Sequence, residues 1–125
     1  MKTHSADQTV LETTDRTFHI EVLKGGMNRL LLRSNRTPTH PTRVEVFFIN
    51  VKFISLGTLL NGMRITDKGV VADPADLEWD IRASQPLHLF EVWSGSGSGT
   101  IVAGGVETDE STAGPTDPSR FPMME

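Results

Sequence analysis

The chain has 125 residues, 37% apolar and 6% aromatic, with no tyrosine, no cysteine and a formal net charge of −4. That length suits one domain around one buried core, and the apolar share is too high for a fully disordered chain. The absent cysteines exclude a disulfide scaffold, a cysteine nucleophile and a thiolate zinc site, and the few aromatics leave little for base platforms.

Residues 1–15 are mostly polar, with Val10 and Leu11 as the only adjacent apolar pair, and read as a flexible leader ahead of a β-rich domain over 16–107. They lack the apolar core of a secretory signal, and no apolar run approaches the roughly 20 residues that span a bilayer. The expected setting is a soluble bacterial-type cytoplasmic protein. The first strand is expected at Thr17–Lys24, where Phe18, Ile20 and Val22 alternate with His19, Glu21 and Leu23. A turn at Lys24–Asn28 leads to a second strand, Asn28–Ser34, whose consecutive Leu30, Leu31 and Leu32 do not fix a buried face. The prolines of Asn35–Thr42 make a loop.

Arg43–Ile65 carries the densest apolar run. Val44, Val46 and Phe48 fall on one face and Glu45, Phe47 and Ile49 on the other, the pattern of a strand packed on both sides. Asn50 interrupts it as a possible bulge, and Asn61-Gly62 predicts a turn. A short strand, Met63–Thr66, is expected to close at Asp67-Lys68-Gly69. Asp73-Pro74 predicts one helical turn, followed by a strand over Leu77–Ser84. Leu87–Trp93 and Thr100–Glu107 read as a hairpin joined by the loop SGSGSG, with a bulge or a close backbone contact at Gly104-Gly105. Residues 108–125 read as a loose tail. The fold class is mainly β: an antiparallel sandwich or open barrel of six to eight short strands with at most one short helical turn.

The chemistry is sparse. SGSGSG lacks the third glycine of a dinucleotide fingerprint, is followed by a strand, and places serine at the fourth rather than the third position of a nucleophile elbow. His4, His19, His40 and His88 show no metal-ligand spacing, and neither a metal nor a cofactor is expected. An enzyme would have to use His19 or His88 with Glu21 or Glu91, and no catalytic residue is assigned. Arg29, Arg33, Arg36 and Arg43 flank the proline loop without interleaved aromatics, so nucleic-acid binding is not expected, and neither is a membrane.

Up to Ile65 the chain has nine Lys/Arg against five Asp/Glu; beyond it, three against eleven. Within the acidic half, Asp76, Glu78 and Asp80 would share one strand face opposite Leu77, Trp79 and Ile81. The leading expectation is a non-enzymatic module that binds another protein, of an inhibitor or immunity type. Asp76, Glu78 and Asp80 would steer the partner, and Trp79 or Trp93, if exposed rather than in the core, would anchor it. The alternative is a small-ligand-binding barrel or sandwich with a cleft between its sheets.

Overall fold

The computed structural model describes residues 7–24, 28–57, 59–71 and 87–121. These form eight strands: β1 (Gln8–Lys24), β2 (Arg29–Ser34), β3 (Arg43–Ile49), β4 (Phe53–Ser55), β5 (Leu59–Val70), β6 (His88–Ser94), β7 (Gly97–Ala103) and β8 (Gly105–Ser111). They belong to one antiparallel sheet in the order β4-β7-β6-β5-β1-β2-β3-β8. Among the described residues there is no helix. The architecture is that of an open barrel.

The curvature follows from the chain path at the two ends of that order. Only residues 50–52 separate β3 from β4, and only Gly104 separates β7 from β8, yet the strands of each pair sit at opposite ends of the sheet. Arg43 to Ile49 pair with Ser111 to Gly105, and Phe53 to Ser55 pair with Val102 to Thr100, one residue out of step with the first ladder. The discontinuity sits at Asn50, which takes the left-handed conformation (φ 53°) that asparagine tolerates. Gly104 N there donates to both the Ile49 and Asn50 carbonyls. The expected interruption at Asn50 and the close backbone contact near Gly104-Gly105 are thus two sides of one joint.

Alternation decides what goes inside. Phe18, Leu30, Leu32, Val44, Val46, Phe48, Leu60, Met63, Ile65, Phe90, Val92 and Ile101 form the core, with Phe48 and Phe90 edge to face at 5.3 Å. Each such side chain withdrawn from water contributes on the order of 1.5–3 kcal/mol. Leu31 and Phe47 point to the other face and are buried there against Phe121, whose ring stacks on Phe47 at 4.8 Å. The leucine triplet of β2 therefore has no exposed face, because the sheet is covered on both sides at that point.

Several boundaries differ from expectation. β1 starts at Gln8, so residues 8–15 of the expected leader form its first half, paired with β5 from Gln8↔Asp67 to Thr13↔Met63. Val10 and Leu11 pack against the core, which is what holds this segment. The expected tail is ordered as far as Phe121: β8 continues to Ser111, and Arg43 Nη1 donates to the carbonyls of Gly114 and Asp117, both at 2.8 Å. Asn61-Gly62 is not a turn but lies inside β5, and so does Asp67-Lys68-Gly69. The hairpin of β6 and β7 turns at Gly95-Ser96 alone, since Ser94 pairs with Gly97 and Val92 with Gly99. The expected helical turn and the strand over Leu77–Ser84 fall outside the described residues.

Candidate functional site

Two places on the barrel present chemistry to solvent. The first is the outer face of β5–β6–β7. Phe90 and Val92 of β6 point inward, so Glu91 and Trp93 point out. Trp93, given core packing as its first explanation, is 48% exposed. The reason is phase: it is one residue from Val92, whose side chain is buried in the core. Arg64, paired with Trp93 across the ladder, places its guanidinium carbon 5.8 Å from the indole centroid. Together with Ser55, Glu91, Ser98, Gly99 and Thr100 they line a shallow groove of about 430 Å³.

Gly99 sets the floor of that groove. A methyl group on it would sit 2.1 Å from the Ser55 carbonyl oxygen, so only glycine lets β4 approach β7. The glycine–serine segment, expected as a mobile loop, is therefore used for close backbone packing. Its end is pinned further: Ser96 Oγ donates to the Leu59 carbonyl at 3.1 Å, and Gly95 N to the Asn61 carbonyl at 2.7 Å.

The second place was not legible in the sequence. Thr13 pairs with Met63 and Thr17 with Asn61, so Thr14, Asp15 and Arg16 of β1 stand opposite Gly62 alone. This is a bulge with two extra residues, and bulges re-aim side chains. Gly62 accepts it with φ +70° and a bare α-carbon; a methyl group there would meet the Thr14 carbonyl oxygen at 3.1 Å. Across from the bulge the β2–β3 loop turns back through paired backbone bonds between Thr37 and His40 (2.8 and 3.1 Å). The cavity between bulge and loop is about 400 Å³ and is lined by Asp15, Arg16, Thr17, His19, Ser34, Asn35, Thr37, Thr39 and His40.

His40 clamps its wall. Nε2 donates to Asp15 Oδ2 at 3.1 Å, which makes Nδ1 the acceptor for the Thr39 hydroxyl at 3.2 Å. Arg16 is only 7% exposed, and one terminal nitrogen, Nη2, donates to the Thr42 carbonyl. Its Nε has no hydrogen-bond partner among the described residues, and neither does Oδ1 of Asn35. Orphaned buried polar atoms of this kind cost about 1–3 kcal/mol each and are uncommon in folded proteins.

The histidine–carboxylate pairs considered from sequence are present in altered form. His19 Nε2 lies 2.8 Å from Glu21 Oε1, on the rim of the cavity. His88 pairs not with Glu91 but with Asp67, whose two carboxylate oxygens both lie 3.0 Å from Nδ1. Glu91 lies beside Trp93 on the outer face of the sheet, one residue out of phase with Asp67's partner Phe90. Among the described residues no three His, Asp or Glu side chains converge to hold a metal ion. Arg33 and Arg43, grouped in sequence with basic residues around the proline loop, are buried: both lie beside Glu45, and Arg43 also holds the C-terminal segment.

Of the binding residues named from sequence, Trp93 is exposed on the sheet face, while Asp76, Glu78, Asp80 and Trp79 lie outside the described residues. The segment that contains them leaves β5 and returns to β6 where Val71 N donates to the Leu87 carbonyl at 2.7 Å. It therefore emerges from the same hairpin that carries Trp93, at the opposite end of β6. The inner face of the barrel, where the alternative reading places a cleft, is occupied by the apolar side chains of the core. Among the described residues no helix is long and apolar enough to cross a membrane. No family model matches the chain, and no curated protein or solved structure matches it either.

Proposed function

We propose that this chain is a non-enzymatic protein-binding module that engages a basic protein partner through the outer face of β5–β6–β7, with Trp93 as the anchor. The supporting observation is the half-exposed Trp93 with Arg64 beside its ring, at the edge of a groove. Tryptophan and arginine are the side chains that most often carry binding energy in protein interfaces, and a rigid sheet holds them at no ordering cost. Over β2 and β3 the same outer face is closed by the C-terminal segment through Phe121 and Arg43.

Asp76, Glu78 and Asp80 supply long-range attraction for such a partner. A cytoplasmic inhibitor of immunity type, blocking a basic enzyme, is the form of this function that suits the composition. The test is capture of partners by the intact chain, its Trp93→Ala variant and an Asp76→Asn/Glu78→Gln/Asp80→Asn variant. One partner is expected to be retained at low salt, released at high salt, and lost with Trp93→Ala. Neutralising the three carboxylates is expected to weaken capture and flatten its salt dependence. Capture unchanged in both variants removes the reading.

A further inference from the structure

We infer that the outer face of β2 and β3 is a peptide-binding site, filled by the chain's own residues 114–121, whose external ligand is a segment of another protein with a proline turn followed by Ser-Arg-aromatic. The receiving surface is built by the sheet. Arg43, Glu45 and Phe47 alternate onto the outer face of β3, and Arg33 and Leu31 of β2 stand opposite Glu45 and Phe47. Glu45 positions both guanidinium groups, its Oε2 lying 2.7 Å from Arg33 Nη2 and 3.7 Å from Arg43 Nε. All five side chains are buried. Paired charges set beside an apolar socket are the mixture found at binding interfaces, where arginine and aromatic groups carry most of the energy.

The occupant adds no strand to the sheet and is held through its main chain. Arg43 Nη1 donates to the carbonyls of Gly114 and Asp117, both at 2.8 Å, Arg43 Nη2 to Pro118 at 3.1 Å, and Arg33 Nη1 to Pro115 at 3.3 Å. Every residue type offers a carbonyl, so these bonds read the path of the backbone, and the two prolines have no N–H to leave unpaired. Asp117 sets that path: its Oδ2 accepts from Gly114 N at 2.7 Å and its own N–H donates to the Gly114 carbonyl at 3.1 Å. Three side chains then supply sequence preference. Ser119 Oγ donates to Glu45 Oε1 at 2.8 Å, and Arg120 Nε donates to Asp109 Oδ1 of β8 at 3.0 Å. Phe121 stacks on Phe47 and packs against Leu31 and Val22, with the Arg120 guanidinium 4.4 Å from its ring centroid. None of these segment residues belongs to the inner core, so the segment can leave while the barrel keeps its packing. A tethered segment has an effective concentration on the order of millimolar. An external segment therefore enters by outcompeting it, and the internal contact is autoinhibitory.

The test uses the full chain carrying Phe121→Ala and, as probe, a fluorescein-labelled peptide of residues 112–121, TAGPTDPSRF, followed by fluorescence polarisation. Saturable binding to this variant is expected, about tenfold or more tighter than to the parent, whose site is filled. The peptide is also expected to raise the urea midpoint of the variant toward that of the parent. Within the peptide, Phe121→Ala is expected to lose about tenfold or more in affinity and Ser119→Ala several-fold. Thr116→Ala, at an exposed position, is expected to change nothing. No saturable binding to the variant, equal affinity for variant and parent, or equal binding of the peptide without its ring overturns the proposal. A parent that dimerises by exchanging this segment assigns the site to a second copy and overturns the external ligand. Should Phe121→Ala fail to give the circular dichroism of the parent, a full-chain Ser119→Ala/Arg120→Ala variant takes its place, with the same order of affinities expected. Trp93→Ala is expected to leave every one of these values unchanged, so failure here does not bear on capture through Trp93.

Discussion

Glu45 stands directly opposite Arg33 across the β2–β3 ladder, its Oε2 2.8 Å from Arg33 Nε and 2.7 Å from Arg33 Nη2. Its other oxygen accepts from Ser119 Oγ at 2.8 Å, and the side chain has no exposure to solvent. One carboxylate thus joins the sheet to the C-terminal segment and sits between two buried arginines, Arg33 and Arg43. Glu45→Gln leaves Arg43 without a carboxylate partner among the described residues and Arg33 with only the more exposed Glu21, 3.2 Å from its Nη1. A loss of about 3 kcal/mol is expected, read from the urea midpoint, because breaking one side of a buried pair leaves the other uncompensated.

Phe121 covers the outer face through its stack on Phe47. Phe121→Ala removes an almost fully buried ring (5% exposed) and is expected to cost about 3 kcal/mol. Limited proteolysis provides a second readout. Cleavage within 112–120 is expected to be faster in the variant than in the parent, because only polar bonds, from Arg43, Arg33, Ser119 and Arg120, then hold the segment.

Gly99→Ala tests the close approach of β4. The added methyl group meets the Ser55 carbonyl, which is backbone and cannot rotate away, so β4 must separate from β7. A destabilisation of about 1–3 kcal/mol is expected, as for other overpacked positions, with faster amide exchange at Phe53–Ser55. Gly57→Ala, where nothing lies within 4 Å of the added atom, is the control and should stay close to the parent.

Asp67 accepts from Gly69 N at 2.8 Å as well as facing His88. Asp67→Ala removes the acceptor of the Gly69 amide, at a glycine whose φ is 103°. An unfolding free energy lower by about 1 kcal/mol is expected, together with earlier exchange of the Gly69 amide.

Trp93→Ala is expected to leave stability within about 0.5 kcal/mol of the parent, since the side chain lies on the outer face, 48% exposed, with Arg64 beside its ring. A large loss of stability, measured by urea unfolding, would show that the ring supports the sheet instead.

The period of two was readable wherever one residue type alternated cleanly: Val44, Val46 and Phe48 share one face and Phe47 lies on the other, as expected. It failed where the local signal has two structural uses. Asn-Gly states that a positive φ is tolerated, which a hairpin and a bulge both require, and at Gly62 the partner strand chose the bulge. The glycine–serine run has no alternation to set a register, so its residues 97–99 were free to join β7 once β6 offered partners. Val10 and Leu11 were too short a run to announce a strand, and β5 made it one. Trp93 followed its phase rather than its hydrophobicity.

By itself the sequence determined a mainly antiparallel β class, the division of β3 into two faces and the absence of thiol chemistry, because these depend on residue type and on a repeat spanning a few neighbours. Only the tertiary structure decided that β8 would pair with β3 across some sixty residues, that Arg33 and Arg43 would be buried beside Glu45, and that Arg16 would face Asn35 across a cavity. Whether a charge is solvated, paired or left waiting depends on groups brought from elsewhere in the chain, and local pattern holds no record of them.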